Sequence, residues 1–206
     1  MLQISAVEPG TLAALKKLMQ ISSLKEFVLV GGTGLALHKG HRMSIDIDLF
    51  SENIPVNSDI ILPELEKVGK LSQKDIFPYA LFLEFDDVKL DILKYSYSWL
   101  KAPIVEEGIR VASVEDIMAM KLSAITKRGS KKDFVDIYFL LKEFPIQQML
   151  ENFKRKYATA ETYMTVKSLT YFEDADVQEM PILLKDKNVT WEEMKTVIRQ
   201  AVKSVS

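Results

Sequence analysis

The chain has 206 residues, a formal net charge of -2, 48% hydrophobic and 27% charged residues, the composition of an ordinary globular protein with one large domain or two small ones. It contains no cysteine and only two histidines, His38 and His41, which excludes disulfides and thiolate zinc sites and leaves hard, oxygen-liganded cations as the metals it favours. The near-balanced charge gives no global attraction to nucleic acid, so any such contact must come from local basic patches.

MLQISAVEPG lacks the basic and apolar regions of a signal peptide, and no apolar run reaches the ~18 residues of a bilayer span. A cytoplasmic protein with no membrane contact is expected. Pro9 then suits a first helical turn, and Leu12, Leu15, Leu18 and Met19 follow at helical spacing through Ile21. Phe27 to Val30 reads as a buried strand, ending in a Gly31-Gly32-Thr33 turn. A short helix begins near Leu35, and a basic corner containing Arg42 leads to a strand carrying Asp46 and Asp48. Residues i and i+2 of a strand share a face, so the two carboxylates converge while Ile45, Ile47 and Leu49 turn to the packed side. A helix is predicted over Ile60 to Val68, interrupted near Pro63. Strands follow around Asp75 to Phe77, Tyr79 to Phe85, Val88 to Leu93 and Ile109 to Ala112, with Asp86-Asp87 as a hairpin turn and Asp91 on the face of Lys89.

The strand signal stops at Ser113. Ser113 and Asp116 resemble a capping box opening a helix through about Lys127, which Gly129 and Ser130 end. Helices are predicted over Lys132 to Lys142, from Pro145 to near Tyr157, over Thr159 to Tyr171, and from Trp191 to Val202 behind a Thr190/Glu193 capping box. The expected fold class is α+β: residues 1-112 form a small mixed sheet with flanking helices, and residues 113-206 a C-terminal helical bundle closing over a cleft.

Asp46, Asp48 and Asp91 lie on strands that a mixed sheet can set side by side. Three like charges in one place are costly without a cation, and Lys89 and Arg42 are the cations near them in sequence. Two magnesium ions would resolve this, as in sites for in-line displacement at phosphorus; ordinary solvent-facing strand residues are the bland alternative. The helix beside the Gly turn presents backbone N–H groups able to accept phosphate. Other motifs fail at particular residues. Gly69-Lys70 is followed by Leu71 and so is not a P-loop. Leu37 stands where a dinucleotide fingerprint needs glycine, and Phe50 and Ser51 where an EF-hand needs a ligand and glycine. His38 and His41 lack a serine partner for a nucleophile triad, and His38 reads as a helix-surface or satisfied histidine.

GGTGLALHKGHRMSIDIDLF, VKLDIL, SVEDIMAMKLSAITKRGSKKDFVDIYFLL and the tail TYFEDADVQEMPILL together resemble the AbiEii/AbiGii toxin family of nucleotidyltransferases, in the DNA polymerase beta-like superfamily. The resemblance implies a nucleotidyltransferase domain with a helical C-terminal part, Mg²⁺, an NTP substrate, and a toxin role opposed by an antitoxin protein. It suggests a tRNA end or a protein side chain as acceptor. Gly32-Thr33 departs from the superfamily's Gly-Ser by one methyl group. In these terms Gly31, Gly32 and Thr33 hold phosphate, Asp46 and Asp48 bind both metals, and Asp91, a further metal ligand, helps deprotonate the acceptor. Arg42 and Arg128 complete the nucleotide contacts. The pattern also singles out Lys121, which would offset triphosphate charge, and KKDFVD. On the helix, Met118, Leu122 and Ile125 form one apolar stripe, leaving Lys121 and Arg128 available to reach the sheet. Lys127, Arg128, Lys131 and Lys132 make a basic cluster that meets triphosphate or RNA, or else is a solvated helix end. Lys156, on a later helix, is expected to be solvated. Asp133 and Asp136 share a helix face, where Asp133 orients Lys121 or Arg128, or both acids are structural. Two rivals remain: a non-catalytic interaction module on the same fold, and a phosphotransferase acting on a partner protein.

Overall fold

The computed structural model describes residues 1–205, with the side chains at positions 73 and 74 outside the description. The chain divides into two compact units, Met1–Ser113 and Val114–Ser206.

The first unit is built on a seven-stranded mixed sheet. Its chain order is α1 (Pro9–Leu18), β1 (Val28–Leu29), α2 (Gly31–Lys39), β2 (Ile47–Ser51), α3 (Ser58–Glu66), β3 (Leu71–Phe77), β4 (Ala80–Phe85), β5 (Val88–Lys94), β6 (Ile104–Glu106) and β7 (Ile109–Val111). The strand order in space is β3-β4-β5-β2-β1-β7-β6. The β2/β5 and β1/β7 pairs are parallel and the others antiparallel. Alternation decides the faces: Ile47, Leu49, Leu81, Leu83, Leu90 and Ile92 are buried, whereas Asp48, Phe50, Phe82, Glu84 and Asp91 on the opposite face are half-buried. The buried face joins a core with Leu15 and Leu18 of α1 and Ile61 and Leu65 of α3, each such side chain contributing about 1.5–3 kcal/mol by leaving water.

Local signals account for the element ends. Pro9 opens α1, and the Glu8 carboxylate accepts from the Thr11 N–H at 2.9 Å. Asp86 and Asp87 have φ of 49° and 62°, as a two-residue hairpin with a type I′ turn requires. Several expectations shift. Helix α2 starts at Gly31, so the predicted glycine turn is the helix's first turn, entered with Gly31 at φ 66°. Ile45 precedes β2 and is 59% exposed, because the alternation starts only where pairing starts. Helix α3 runs through Pro63 without a break; the carbonyl that loses its N–H partner belongs to Asp59, at an exposed position. Strand β6 carries no burial pattern in the sequence because it buries little: it is an edge strand turned by Glu107 and Gly108.

The second unit contains α4 (Val114–Lys127), α5 (Lys131–Leu141), α6 (Ile146–Lys156), α7 (Thr162–Ser168), α8 (Glu173–Asp176) and α9 (Trp191–Lys203). Val135, Tyr138, Phe139 and Met194 form one core cluster, against which Leu183, Val189, Trp191 and Val197 pack. The Thr190/Glu193 capping box is present. The helix expected over Thr159 to Tyr171 is shorter, and the four-residue α8 follows it. Two lysines depart from expectation. Lys131 is buried, with its ammonium on the Asp176 carbonyl at 3.3 Å and on the Gln178 carbonyl, so it ties α5 to the tail and is no part of a solvated basic cluster. Lys156 is likewise not solvated: its ammonium meets the Asp116 carboxylate at 2.6 Å with both side chains fully buried.

Removing one partner of such a pair takes from a fully buried charge the opposite charge 2.6 Å away. Lys156→Ala is therefore expected to lower the stability of this unit by about 3–5 kcal/mol, read as a shift in the urea unfolding midpoint. A midpoint within experimental error of the unaltered chain would refute the pairing.

Candidate active site

The carboxylate face of the sheet is assembled by strand pairing. In the parallel β2/β5 ladder Asp48 lies directly opposite Asp91, so residues 43 apart in sequence have neighbouring side chains on one face. Asp46, two residues before Asp48, precedes the first residue of β2. Like charges side by side on a ladder repel. The Lys89 ammonium lies 3.1 Å from Asp91 Oδ2, on a side chain that is 60% exposed. Burial pulls the Lys89 pKa down, but the hydrogen bond to Asp91 and the charges of Asp91, Asp48 and Asp46 outweigh it and raise the pKa. All three carboxylates therefore act electrostatically on one lysine.

The second oxygen of Asp91 carries the sharper signal. Asp91 Oδ1 is buried and has no hydrogen-bond partner among the described residues. A buried carboxylate oxygen without a donor is costly, and a bound cation is one physical way to offset it. Among the described residues no three His, Cys, Asp or Glu side chains are gathered closely enough to enclose a metal ion. Magnesium does not require such a cage: it keeps water ligands and binds through one or two carboxylates together with substrate phosphates. Asp48 and Asp91, with Asp46 nearby in sequence, fit that donor set.

Helix α2 shapes the rim. The Val30 N–H donates to the Asp48 carbonyl at 2.9 Å, which brings Gly31 alongside Asp48. A Cβ added at Gly31 would stand 2.0 Å from Asp48 Oδ2, and the φ of 66° independently favours glycine. A Cβ at Gly32 would stand 2.3 Å from an Arg42 guanidinium nitrogen. Arg42 is buried, donating to the Met43 carbonyl at 3.1 Å and to Ser44 Oγ at 3.4 Å. The Thr33 hydroxyl is also buried: it lies 2.8 Å from Ser44 Oγ and donates to the Asp46 carbonyl. It fastens the backbone that carries Asp46. His38 has Nε2 at 2.8 Å from the Ala112 carbonyl, the satisfied histidine expected.

In the second unit Lys121, Arg128, Asp133 and Asp136 form one ion cluster. The buried Lys121 ammonium is 2.9 Å from Asp133 Oδ1 and 2.5 Å from Asp136 Oδ2. Asp133 also accepts from Arg128 Nε at 2.8 Å and from the Ser130 hydroxyl at 2.6 Å. Burial alone would raise the Asp133 pKa, but the charge of Lys121 and the hydrogen bond and charge of Arg128 reverse this and hold it well below the usual carboxylate range. Asp133 thus holds Lys121 and Arg128 together, where the sequence reading offered one or the other.

The family profile described as nucleotidyl transferase AbiEii toxin, type IV toxin–antitoxin system, matches residues 13–204. An uncharacterized protein of Aquifex aeolicus (strain VF5), aq_aa25, is 33% identical over 195 residues, covering 92% of this chain and 93% of its own. The crystal structure of JHP933 from Helicobacter pylori shares the fold with a TM-score of 0.60 at 20% identity, over 98% of this chain and 91% of that one. MenT4, a nucleotidyltransferase toxin from Mycobacterium tuberculosis H37Rv, does so with a TM-score of 0.58 at 11% identity, over 95% and 84%. Among the described residues no helix is long and apolar enough to cross a membrane. With a mixed sheet carrying paired carboxylates beside a glycine-led helix, and a family match over nearly its whole length, the chain belongs to the AbiEii nucleotidyltransferase toxin family.

Proposed function

We propose that the protein transfers a nucleoside monophosphate from an NTP to a hydroxyl of an RNA end or a protein side chain, with Mg²⁺, as the toxin partner of an antitoxin protein. The observation that carries the reading is the Asp48/Asp91 pair with its unpartnered buried oxygen. Asp46, Asp48 and Asp91 would hold magnesium, which when bound neutralises charge developing on the transferring phosphoryl group. The acceptor oxygen attacks the α-phosphorus, the bond to the β-phosphate oxygen breaks, and pyrophosphate leaves. Asp91 takes the acceptor proton. Gly31 and Gly32, with their N–H groups in the first turn of α2, suit an anionic phosphate, and Arg42 beside Gly32 adds positive charge. Thr33 acts one step back, by holding the Asp46 backbone. The Lys121, Arg128, Asp133 and Asp136 cluster keeps the second unit's α4 and α5 in register.

Incubation with α-labelled and, separately, γ-labelled NTP and total RNA or lysate tests the reaction class. Label passing to an acceptor from the α position is expected; transfer from the γ position instead would make the protein a phosphotransferase.

Asp48→Asn removes a ligand charge at nearly constant volume. Transfer is expected to fall roughly 100-fold or more while the melting temperature holds or rises, since repulsion with Asp91 is relieved. Full activity in this variant would sink the assignment. Gly31→Ala is expected to abolish transfer as well, because the added methyl group displaces the Asp48 carboxylate, whereas Gly32→Ala meets only the movable end of Arg42 and should retain part of the activity.

Growth provides a separate check. Expression of the unaltered chain without its antitoxin is expected to slow bacterial growth, and expression of Asp48→Asn is not; equal growth of the two would separate toxicity from this site.

A further inference from the structure

The carboxylate face continues beyond the carboxylates into a run of aromatic side chains. Phe50 is two residues after Asp48 on β2, and Tyr95, just past the end of β5, is four after Asp91, so each shares the face of its aspartate. The Tyr95 N–H donates to the Ser51 carbonyl at 2.7 Å, extending the β2/β5 ladder past Lys94 and fixing Tyr95 in register. The Phe50 and Tyr95 ring centroids are 5.3 Å apart, and Trp99 stacks on Tyr95 at 5.8 Å with 29° between the ring planes. Tyr97 meets Tyr95 edge-on at 5.4 Å. The loop is pinned, because the Trp99 N–H donates to Glu52 Oε2 at 3.3 Å.

This group does not have the burial of a core. Tyr97 is 42% exposed, Tyr95 and Trp99 are half-buried, and the exposed Lys101 follows Trp99 two residues on. Rings held partly in water keep surface that a flat ligand can cover, which full burial would remove. Along the strands, Phe50 lies about 7 Å from Asp48 and Tyr95 about 13 Å from Asp91, a short reach for a nucleotide whose phosphate is at the carboxylates. Aromatic rings with a neighbouring lysine are a combination that stacks unpaired bases while holding their backbone.

We propose that Phe50, Tyr95, Tyr97 and Trp99 form a stacking shelf for the flat face of a nucleobase. The inference rests on the nucleotidyl-transfer reading and adds the residues that seat a base. The base comes either from the incoming NTP or from the terminal nucleotide of a single-stranded RNA acceptor.

Stacking can be read without catalysis. The chain has two tryptophans, so Trp191→Phe leaves Trp99 as the sole indole emitter. Titration of that variant with each NTP in Mg²⁺, and separately with short single-stranded oligoribonucleotides of each base, is expected to quench Trp99 emission saturably. Quenching by an NTP assigns the shelf to the donor, and quenching by oligoribonucleotide assigns it to the acceptor. Inorganic triphosphate and fully paired RNA should leave the emission unchanged. Adding Tyr97→Ala should weaken the quenching ligand roughly 5- to 150-fold, the equivalent of about 1–3 kcal/mol per stacked base, while Tyr97→Phe should restore most of the affinity. In the chain retaining Trp191, Tyr97→Ala should raise the KM of that same ligand with little change in kcat, which keeps the question open to refutation if Trp191→Phe fails to fold. No quenching by any base-bearing ligand, or equal affinity and KM with and without the Tyr97 ring, overturns the shelf. α-Label transfer with no quenching would remove the shelf alone, and base-dependent quenching with no α-label transfer would remove the reaction and leave the shelf.

Discussion

The parallel pairing of β2 with β5 is the constraint on which the first unit's chemistry depends. It sets Asp48 against Asp91, and a slip of one residue in either strand would send one carboxylate into the packed core. The register is held from the apolar side, where Ile47 and Leu49 are buried beside Leu90 and Ile92. Hydrophobic burial thus keeps together two charges that would separate if left to themselves. The same ladder, prolonged by the Tyr95 hydrogen bond, carries the alignment into the aromatic loop.

The two units handle charge in opposite ways. Asp116, Asp133 and Asp136 of the second unit are fully buried, and each has a lysine ammonium within 3 Å: Lys156 for Asp116, and Lys121 for the other two. On the sheet of the first unit, Asp91 has one oxygen on a largely exposed lysine, and its other oxygen is buried with no hydrogen-bond donor among the described residues. A compensated cluster is what structural ion pairs look like, and a buried carboxylate oxygen without a donor is what a bound cation can balance.

Much of this was legible in the sequence where the cause is local. Alternation over Asp46 to Phe50 assigned the two faces of β2, Asp86-Asp87 located a hairpin whose turn needs φ > 0, and Thr190 with Glu193 located the start of α9. What escaped was non-local or weakly patterned. Strand β6 has exposed Ile104 and Val105 and so lacks a burial rhythm. Lys131 and Lys156 read as solvated helix residues because their partners lie 45 to 47 and 40 residues away. Ile45 was assigned to the packed face by extending the alternation beyond the paired residues of β2.

The glycine-led helix shows how one residue type can be read correctly for an incomplete reason. Gly31 and Gly32 suggested close approach of a phosphate to the backbone, and the first turn of α2 does present N–H groups there. Yet the space that each glycine leaves is also occupied from within, by the Asp48 carboxylate at Gly31 and by the Arg42 guanidinium at Gly32. A side chain at Gly31 would collide with the proposed metal ligand before any substrate arrived. The glycines therefore do two things together: they expose backbone donors on one side, and on the other they let an acid and a base of opposite charge come close to the same helix terminus. Thr33 completes that corner by holding Ser44 and the Asp46 carbonyl, so one buried hydroxyl ties the helix start to both the basic corner and the backbone leading into the acidic strand.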